Sequence, residues 1–278
     1  MANTLTGTPA AAAIYVQVRT RAARLAVRPC LAAVSVGAQP DDLAYLRSIA
    51  QAAAGCGVAV RPVPLPADCA PEALTDTLRA LSTDGAVHGV LLLRPLPEAL
   101  RAQEMLDTLD ARKDVDGMTT ASLGALVTGA AGFAPCTAEA CMELLRAHGI
   151  DPAGRRVTIV GRSLVIGRPA ALLLTRADAT VTLCHRKTPD LAARCRDADI
   201  LLAAAGAPGL ITTDFVRPGQ IVLDAGATVL PDGTLRGDVA PDAAAITVCT
   251  PVPGGIGSVT TALLLRHTVQ AAENLRHF

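Results

Sequence analysis

The feature that most constrains this chain is a repeated alternation of short apolar runs, each of strand length, with longer Ala- and Leu-rich segments of helical spacing. Strands joined by helices run the same way, and the parallel sheet they build needs helices on both faces. In the first third the spacing predicts strands over residues 31–36, 58–63 and 89–93, with helices over 42–56 and 71–81 between them. A polar loop is expected around residues 113–120. Beyond it, residues 137–148 read as a helix with Thr137 as N-cap and Gly149 as its stop.

A second series follows: strands at 157–160, 180–184, 200–204 and 221–224, and helices at 166–177 and 189–196. That cadence is the one of a doubly wound dinucleotide domain. The expected fold class is therefore α/β, with two α/β domains, the second a Rossmann-type dinucleotide-binding domain. Residues 260–276 read as a helix long enough to return to the first domain. The boundaries expected on this reading give a substrate domain of 1–118 plus 260–278 and a nucleotide domain of 119–259.

Composition narrows the partner. With 51% hydrophobic residues over 278 positions the chain can bury a large core, and 25 basic against 25 acidic residues leave no net field toward nucleic acid or an anionic membrane. A small molecule is the expected partner. Apolar runs such as 200–205 and 263–265 fall far short of the roughly 20 residues of a membrane span. Residues 1–13 are apolar but lack the basic start of a secretory signal, so the cytoplasm is the expected location. Eight cysteines without a C-x-x-C pair are expected mostly buried and reduced, and no zinc or other metal site is indicated.

The run from Val157 through Gly161, Arg162 and Ser163 to Gly167 is a strand, a glycine turn and a helix start, the place where a pyrophosphate meets backbone N–H groups. Ser163 stands where the standard fingerprint has a second glycine, and the last glycine comes one residue late. An ordinary strand-to-helix turn is the competing reading. NAD sites place an acidic residue roughly 20 residues after the first glycine to bond the ribose hydroxyls. Here that place holds His185, Arg186 and Lys187. These suit a 2′-phosphate, with Arg162 in reach of the same group, unless the loop is simply solvated.

Taken together, several motifs resemble the methylenetetrahydrofolate dehydrogenase/cyclohydrolase family in order and spacing. They are Val36-Gly37 with Pro40 and Tyr45, the run Arg94 to Pro97, Lys113-Asp114-Val115-Asp116-Gly117, Pro135-Cys136-Thr137, Gly161 to Pro169, Gly237-Asp238-Val239, and Thr250-Pro251-Val252-Pro253-Gly254-Gly255-Ile256-Gly257. The resemblance implies a folate cleft between two domains, a homodimer through the cofactor domains, NADP as cofactor and a tetrahydrofolate derivative as substrate. Carried onto this chain, it implies that Tyr45 and Asp116 serve the substrate. The cofactor is expected at Gly161, Arg162, Ser163, Gly167, His185, Arg186 and Ala227, and the substrate cleft at Pro253, Gly254, Gly255 and Ser258. Three positions depart from the family pattern. Ile49 replaces the lysine four residues after the tyrosine, Leu93 replaces the glutamine that supports it, and Ser258 stands where proline is usual.

The two family reactions need different chemistry. Hydride departure from a carbon between two nitrogens leaves a cation stabilised by their lone pairs, so oxidation chiefly needs a well-placed nicotinamide. Hydrolysis of that cation needs an activated water and moving protons, the task of the missing lysine. The expectation is an NADP-dependent dehydrogenase that has lost cyclohydrolase activity. Beside it stand a paralogue acting on a different imine or one-carbon substrate, a silent folate- or nucleotide-binding protein, and a bifunctional enzyme with a substitute for the lysine. His88, His148 and His267 are expected to be structural.

Overall fold

The computed structural model describes residues 4–275, so the expected helix end at Arg276 and the first residues of the 1–13 segment lie outside it. The chain forms two compact units. One contains Ala13–Cys136 and the chain from Thr261 onward; the other contains the chain up to Ala12 together with Thr137–Thr260. The sequence reading drew the corresponding lines at 118/119 and 259/260 and left the first residues with the substrate domain.

Helix α1 (Thr8–Ala22) precedes the first sheet, in which β1 (Cys30–Val36) lies between β2 (Ala59–Leu65) and β3 (Gly89–Leu92), all parallel. Five consecutive residues of β1 are buried, as a central strand covered on both faces requires. The edge strand β2 carries Pro62 and Pro64, which donate no N–H and suit an edge. Between the strands run α2 (Pro40–Ala54) and α3 (Pro71–Thr83). Reciprocal Gln39 and Asp42 bonds and Pro40 in the first turn start α2, and α3 buries Leu74, Leu78 and Leu81 along one face. A short α4 (Gln103–Leu106) and α5 (Thr120–Thr128) complete this part. Thr119 accepts the Ser122 N–H to cap α5, and Gly129, in the left-handed region at φ 79°, ends it.

The other unit takes in α6 (Cys136–Ala147), which starts directly after Pro135, so Thr137 sits in its first turn and is not the N-cap the sequence suggested. Gly149, at φ 66°, does follow its end. Then come β4 (Arg156–Val160), α7 (Gly167–Arg176), β5 (Thr180–Cys184), α8 (Leu191–Arg196), β6 (Ile200–Ala203) and β7 (Ile221–Asp224). A two-stranded ribbon of β8 (Thr228–Val229) and β9 (Leu235–Arg236), then α9 (Pro241–Ile246) and β10 (Val248–Cys249), lead into α10 (Ile256–Asn274). The parallel sheet has the order β10-β7-β6-β4-β5. Its middle strand β6 is wholly buried, and Leu201 pairs in register with Thr158 and Val222. Residues of α10 from Thr261 belong to the unit that holds β1–β3, in keeping with the expected return of the last helix. Among the described residues no helix is long and apolar enough to cross a membrane.

Six of the eight cysteines are buried and all eight are free thiols. Cys184, Cys195 and Cys249 pack with Leu201, Val222 and Ile211 as small apolar residues of one core. Truncating the centre of that core leaves a cavity that rigid sheet packing cannot close. Leu201→Ala is expected to cost about 2–5 kcal/mol, read as a lower urea midpoint with an unchanged slope.

Candidate active site

At the end of β4 the chain turns sharply. Gly161 has φ 125°, and a Cβ built on it would stand 2.0 Å from the Ala204 carbonyl oxygen. A Cβ on Gly167 would meet the Gly161 carbonyl at the same distance. Both glycines are therefore required by close backbone approach. Ser163 does a different job from the glycine of the standard fingerprint. Its Oγ accepts the Ile166 N–H at 3.1 Å and its carbonyl accepts the Arg168 N–H at 3.1 Å, fastening the loop to the start of α7. The result is a helix N-terminus behind a glycine turn, suited to a phosphate.

Two buried aspartates hold the neighbouring loops. Asp238 accepts the N–H groups of Ala205, Gly206 and Ala207 at 2.6, 3.1 and 2.7 Å. Asp224, at the end of β7, accepts those of Gly226, Asp238 and Val239, each at 2.9 Å. Burial pushes the Asp224 carboxyl above its ordinary range, and these backbone donors oppose the shift. Gly237-Asp238-Val239 is thus a brace for the strand ends. The sequence reading assigned no role to Asp224.

The basic segment after β5 divides by function. The His185 ring turns back on its own loop: Nδ1 accepts the Lys187 N–H at 3.2 Å, and the His185 N–H donates to Thr188 Oγ1 at 2.9 Å. Arg186, Lys187 and Arg162 are exposed, and no ion pair among the described residues engages them. Ala227 is exposed just past β7. Farther on, Gly254 accepts the Gly7 N–H at 2.9 Å, and a Cβ on Gly7 would stand 2.2 Å from both the Gly255 oxygen and Ser258 Oγ. Ser258 donates to the Gly255 carbonyl at 2.7 Å, so it closes the first turn of α10, while Pro253 and Gly254 stay exposed.

In the unit with β1–β3, the segment Lys113 to Gly117 separates into anchors and one outlying acid. Lys113 is 4% exposed, and its Nζ donates to the carbonyls of Leu81 and Asp84 at the end of α3. Asp114 accepts the Thr119 N–H and the Ser122 hydroxyl, both at 2.7 Å. Asp116 accepts from Cys136, and its carboxyl is pushed up to about 6 by burial first and by the Asp114 charge second; Cys136 and Arg94 pull the other way. The Tyr45 hydroxyl is raised by burial and by the neighbouring Asp116 and Cys136, with a Thr261 hydrogen bond opposing, although the residue keeps 39% of its surface open. Tyr45 and Asp116 are therefore neighbours. Thr261 and Cys136 join them without having been singled out.

Two of the three departures from the family pattern are core residues. Ile49 is 0% exposed and Leu93 7%, and the Leu93 N–H donates to the Val34 carbonyl to continue strand pairing. His88 Nδ1 accepts the Cys30 N–H at 3.1 Å, and His148 Nε2 bonds the Thr6 carbonyl at 2.9 Å, both structural as expected.

A parallel sheet ending in a glycine turn, backed by exposed cations, defines the class of α/β dinucleotide-binding enzymes. Within it, the chain belongs to the tetrahydrofolate dehydrogenase/cyclohydrolase family: the family's catalytic domain matches residues 5–116 and its NAD(P)-binding domain residues 135–276. The chain is 49% identical to bifunctional protein FolD 1 of Rhodococcus jostii, over 89% of this chain and 84% of that protein. The bifunctional FolD methylenetetrahydrofolate dehydrogenase/cyclohydrolase of Campylobacter jejuni superposes with a TM-score of 0.93 at 36% identity, covering 98% of this chain and 99% of that one. A Trypanosoma brucei dehydrogenase-cyclohydrolase solved with NADP and an inhibitor gives 0.92 at 34%, covering 100% and 99%.

The raised Asp116 carboxyl carries a stability cost. Between its ordinary value of 3.8 and about 6 the folded state keeps a proton that the unfolded chain has lost, so stability falls as pH rises through that window. Asp116→Asn is expected to be more stable than the parent above pH 6, by the order of 1–3 kcal/mol, and equal to it below about pH 4. Urea denaturation at the two pH values checks the sign.

Proposed function

We propose that this protein is an NADP-dependent 5,10-methylenetetrahydrofolate dehydrogenase without cyclohydrolase activity, working in the cytoplasm as a homodimer. The observation that carries the reading is the pair Ile49 and Leu93, both buried and apolar, where the family resemblance implies a lysine and its glutamine, while Tyr45 and Asp116 are retained. The relatives named above are described as bifunctional, so the proposal sets this chain apart from them at this pair.

The residues present fit the cofactor. Gly161 and Gly167 allow the tight turn that puts the N-terminus of α7 behind the end of β4, and Arg162, Arg186 and Lys187 offer exposed cations with no carboxylate in the ribose position. When bound, NADP supplies the hydride acceptor. The Asp116 carboxylate accepts paired N–H bonds from the amino-pyrimidinone ring of the substrate, and the Tyr45 hydroxyl, held protonated at neutral pH, donates or accepts a hydrogen bond without carrying charge. Oxidation asks no more of the protein than orientation. Hydrolysis asks for a base, and neither Ile49 nor Leu93 is one. Arg94, beside Asp116, keeps a cation in place but cannot give up its proton.

A second reading keeps the fold and NADP and changes the substrate to another imine or one-carbon adduct. The joint change at Ile49, Leu93 and Ser258 favours it. Methylenetetrahydrofolate that neither binds nor is oxidised, with NADP bound normally, is the result that selects it.

NADP is expected to bind at least about tenfold more tightly than NAD, and Arg186→Asp to shift the preference toward NAD. Calorimetric titration of both nucleotides decides this, and equal affinities overturn it. For the second half-reaction, the protein is expected not to accelerate loss of methenyltetrahydrofolate absorbance above the blank. The double change Ile49→Lys with Leu93→Gln is expected to gain hydrolysis if the folate site is otherwise intact. Because Ile49 is fully buried, the lysine alone enters a pocket without a partner and is expected to be unstable.

A further inference from the structure

The substrate acid Asp116 sits in a loop that is pinned at both ends. Before it, Asp114 is tied to Thr119 and Ser122 at the start of α5. After it, Gly117 at φ 65° packs so closely on residues 133–135 that a Cβ would stand 2.5 Å from the Phe133 oxygen. Between these points Cys136 bonds the Asp116 carboxyl itself, and the orientation of the Val115–Asp116 peptide sets where the side chain starts. A trans peptide is a rigid plane that contains the Val115 oxygen and the Asp116 Cα, so a group that holds that oxygen also sets the position of the Asp116 side chain.

Two side chains hold it. His267, buried on α10, has Nδ1 2.8 Å from the Val115 oxygen, and Cys136 Sγ donates to the same oxygen at 3.3 Å. A carbonyl has no hydrogen to give, so Nδ1 carries the proton and is the donor. Cys136 Sγ lies 3.6 Å from Nδ1, which leaves the thiol and the imidazole on separate lone pairs of one acceptor. The Phe133 ring, 4.9 Å from the imidazole and tilted by 33°, limits its rotation. His267 is 152 residues from Val115 in the chain, and the sequence alone suggests no task for it beyond structure.

We propose that His267 is a positioning residue for substrate binding: its Nδ1–H holds the Val115 carbonyl and thereby aims Asp116 at the pterin-like ring. The inference rests on the reading of Asp116 as the substrate anchor. An amide N–H at the reach of Nδ1 serves equally, so asparagine replaces this histidine and glutamine, whose N–H lies farther out, does not.

The test uses the full-length protein with NADP and methylenetetrahydrofolate. His267→Gln and His267→Leu are expected to raise KM for the folate about tenfold, as loss of one aimed hydrogen bond implies. The kcat at saturation and the NADP Kd are expected to stay within about twofold, because a ground-state anchor affects binding and transition state alike. His267→Asn is expected to restore KM to within about twofold of the parent. A normal KM in the Gln and Leu variants, an Asn variant as impaired as Gln, or NADP affinity falling in step with KM overturns the proposal. Should the Leu variant fail to fold, the contrast of Asn with Gln decides alone. Asp116→Ala, measured alongside, separates the two levels. A KM raised there but normal in Gln sinks the role of His267, and a KM unchanged in Asp116→Ala sinks the anchor reading itself.

Discussion

Backbone N–H groups at the carboxyl ends of parallel strands run out of sheet partners, and in this protein buried aspartates take them. Asp224 and Asp238 each accept three, and Asp114 accepts the first N–H offered by α5. Each of these carboxylates exchanges hydration for a set of fixed donors, which is the condition under which a buried charge is tolerated. The loops that present the glycine turn and the Lys113 to Gly117 segment hang from these acids. Asp116 has Cys136 as its hydrogen-bond donor in place of a row of loop N–H groups, and burial raises its pKa to about 6.

β7 was legible because a buried parallel strand is an apolar run, and the exposed edge strand β5 because its threonines alternate with apolar residues; both match the expected residues. Helices α1 and α5 were not. The first is rich in alanine with apolar residues on every face, so no stripe distinguishes it, and the second begins inside what reads as a polar loop because Thr119 and Thr120 are cap residues. The start of α6 was misplaced by one residue, since Thr137 has the chemistry of a cap while Pro135 sets the actual start. Tyr45 and Asp116 were legible from motif resemblance. Thr261 and Cys136 were not, because the Thr261 bond to Tyr45 and the Cys136 bonds to Asp116 and the Val115 carbonyl join residues far apart in the chain, and no local pattern encodes them.

The replaced lysine shows how one position separates two reactions that share a ligand. An ammonium near the product cation is a base when deprotonated and a repulsive charge when not. With Ile49 in the core, both effects vanish together. Arg94 keeps positive charge near Asp116. On the proposed function, the cation formed by oxidation would leave by dissociation, and its hydrolysis would fall to solvent or to a separate hydrolase.

The chain has two lysines, and the fold treats them in opposite ways. Lys113 is sealed in, with its Nζ committed to two carbonyls, whereas Lys187 stands in the open on the loop after β5. Burial also lowers the Lys113 pKa, yet a nucleophile walled off by protein meets no reagent. Acylating reagents thus find a single exposed lysine side chain to modify. If the nucleotide binds as proposed, its phosphate shields that amine, and Lys187 reports cofactor occupancy without any engineered residue.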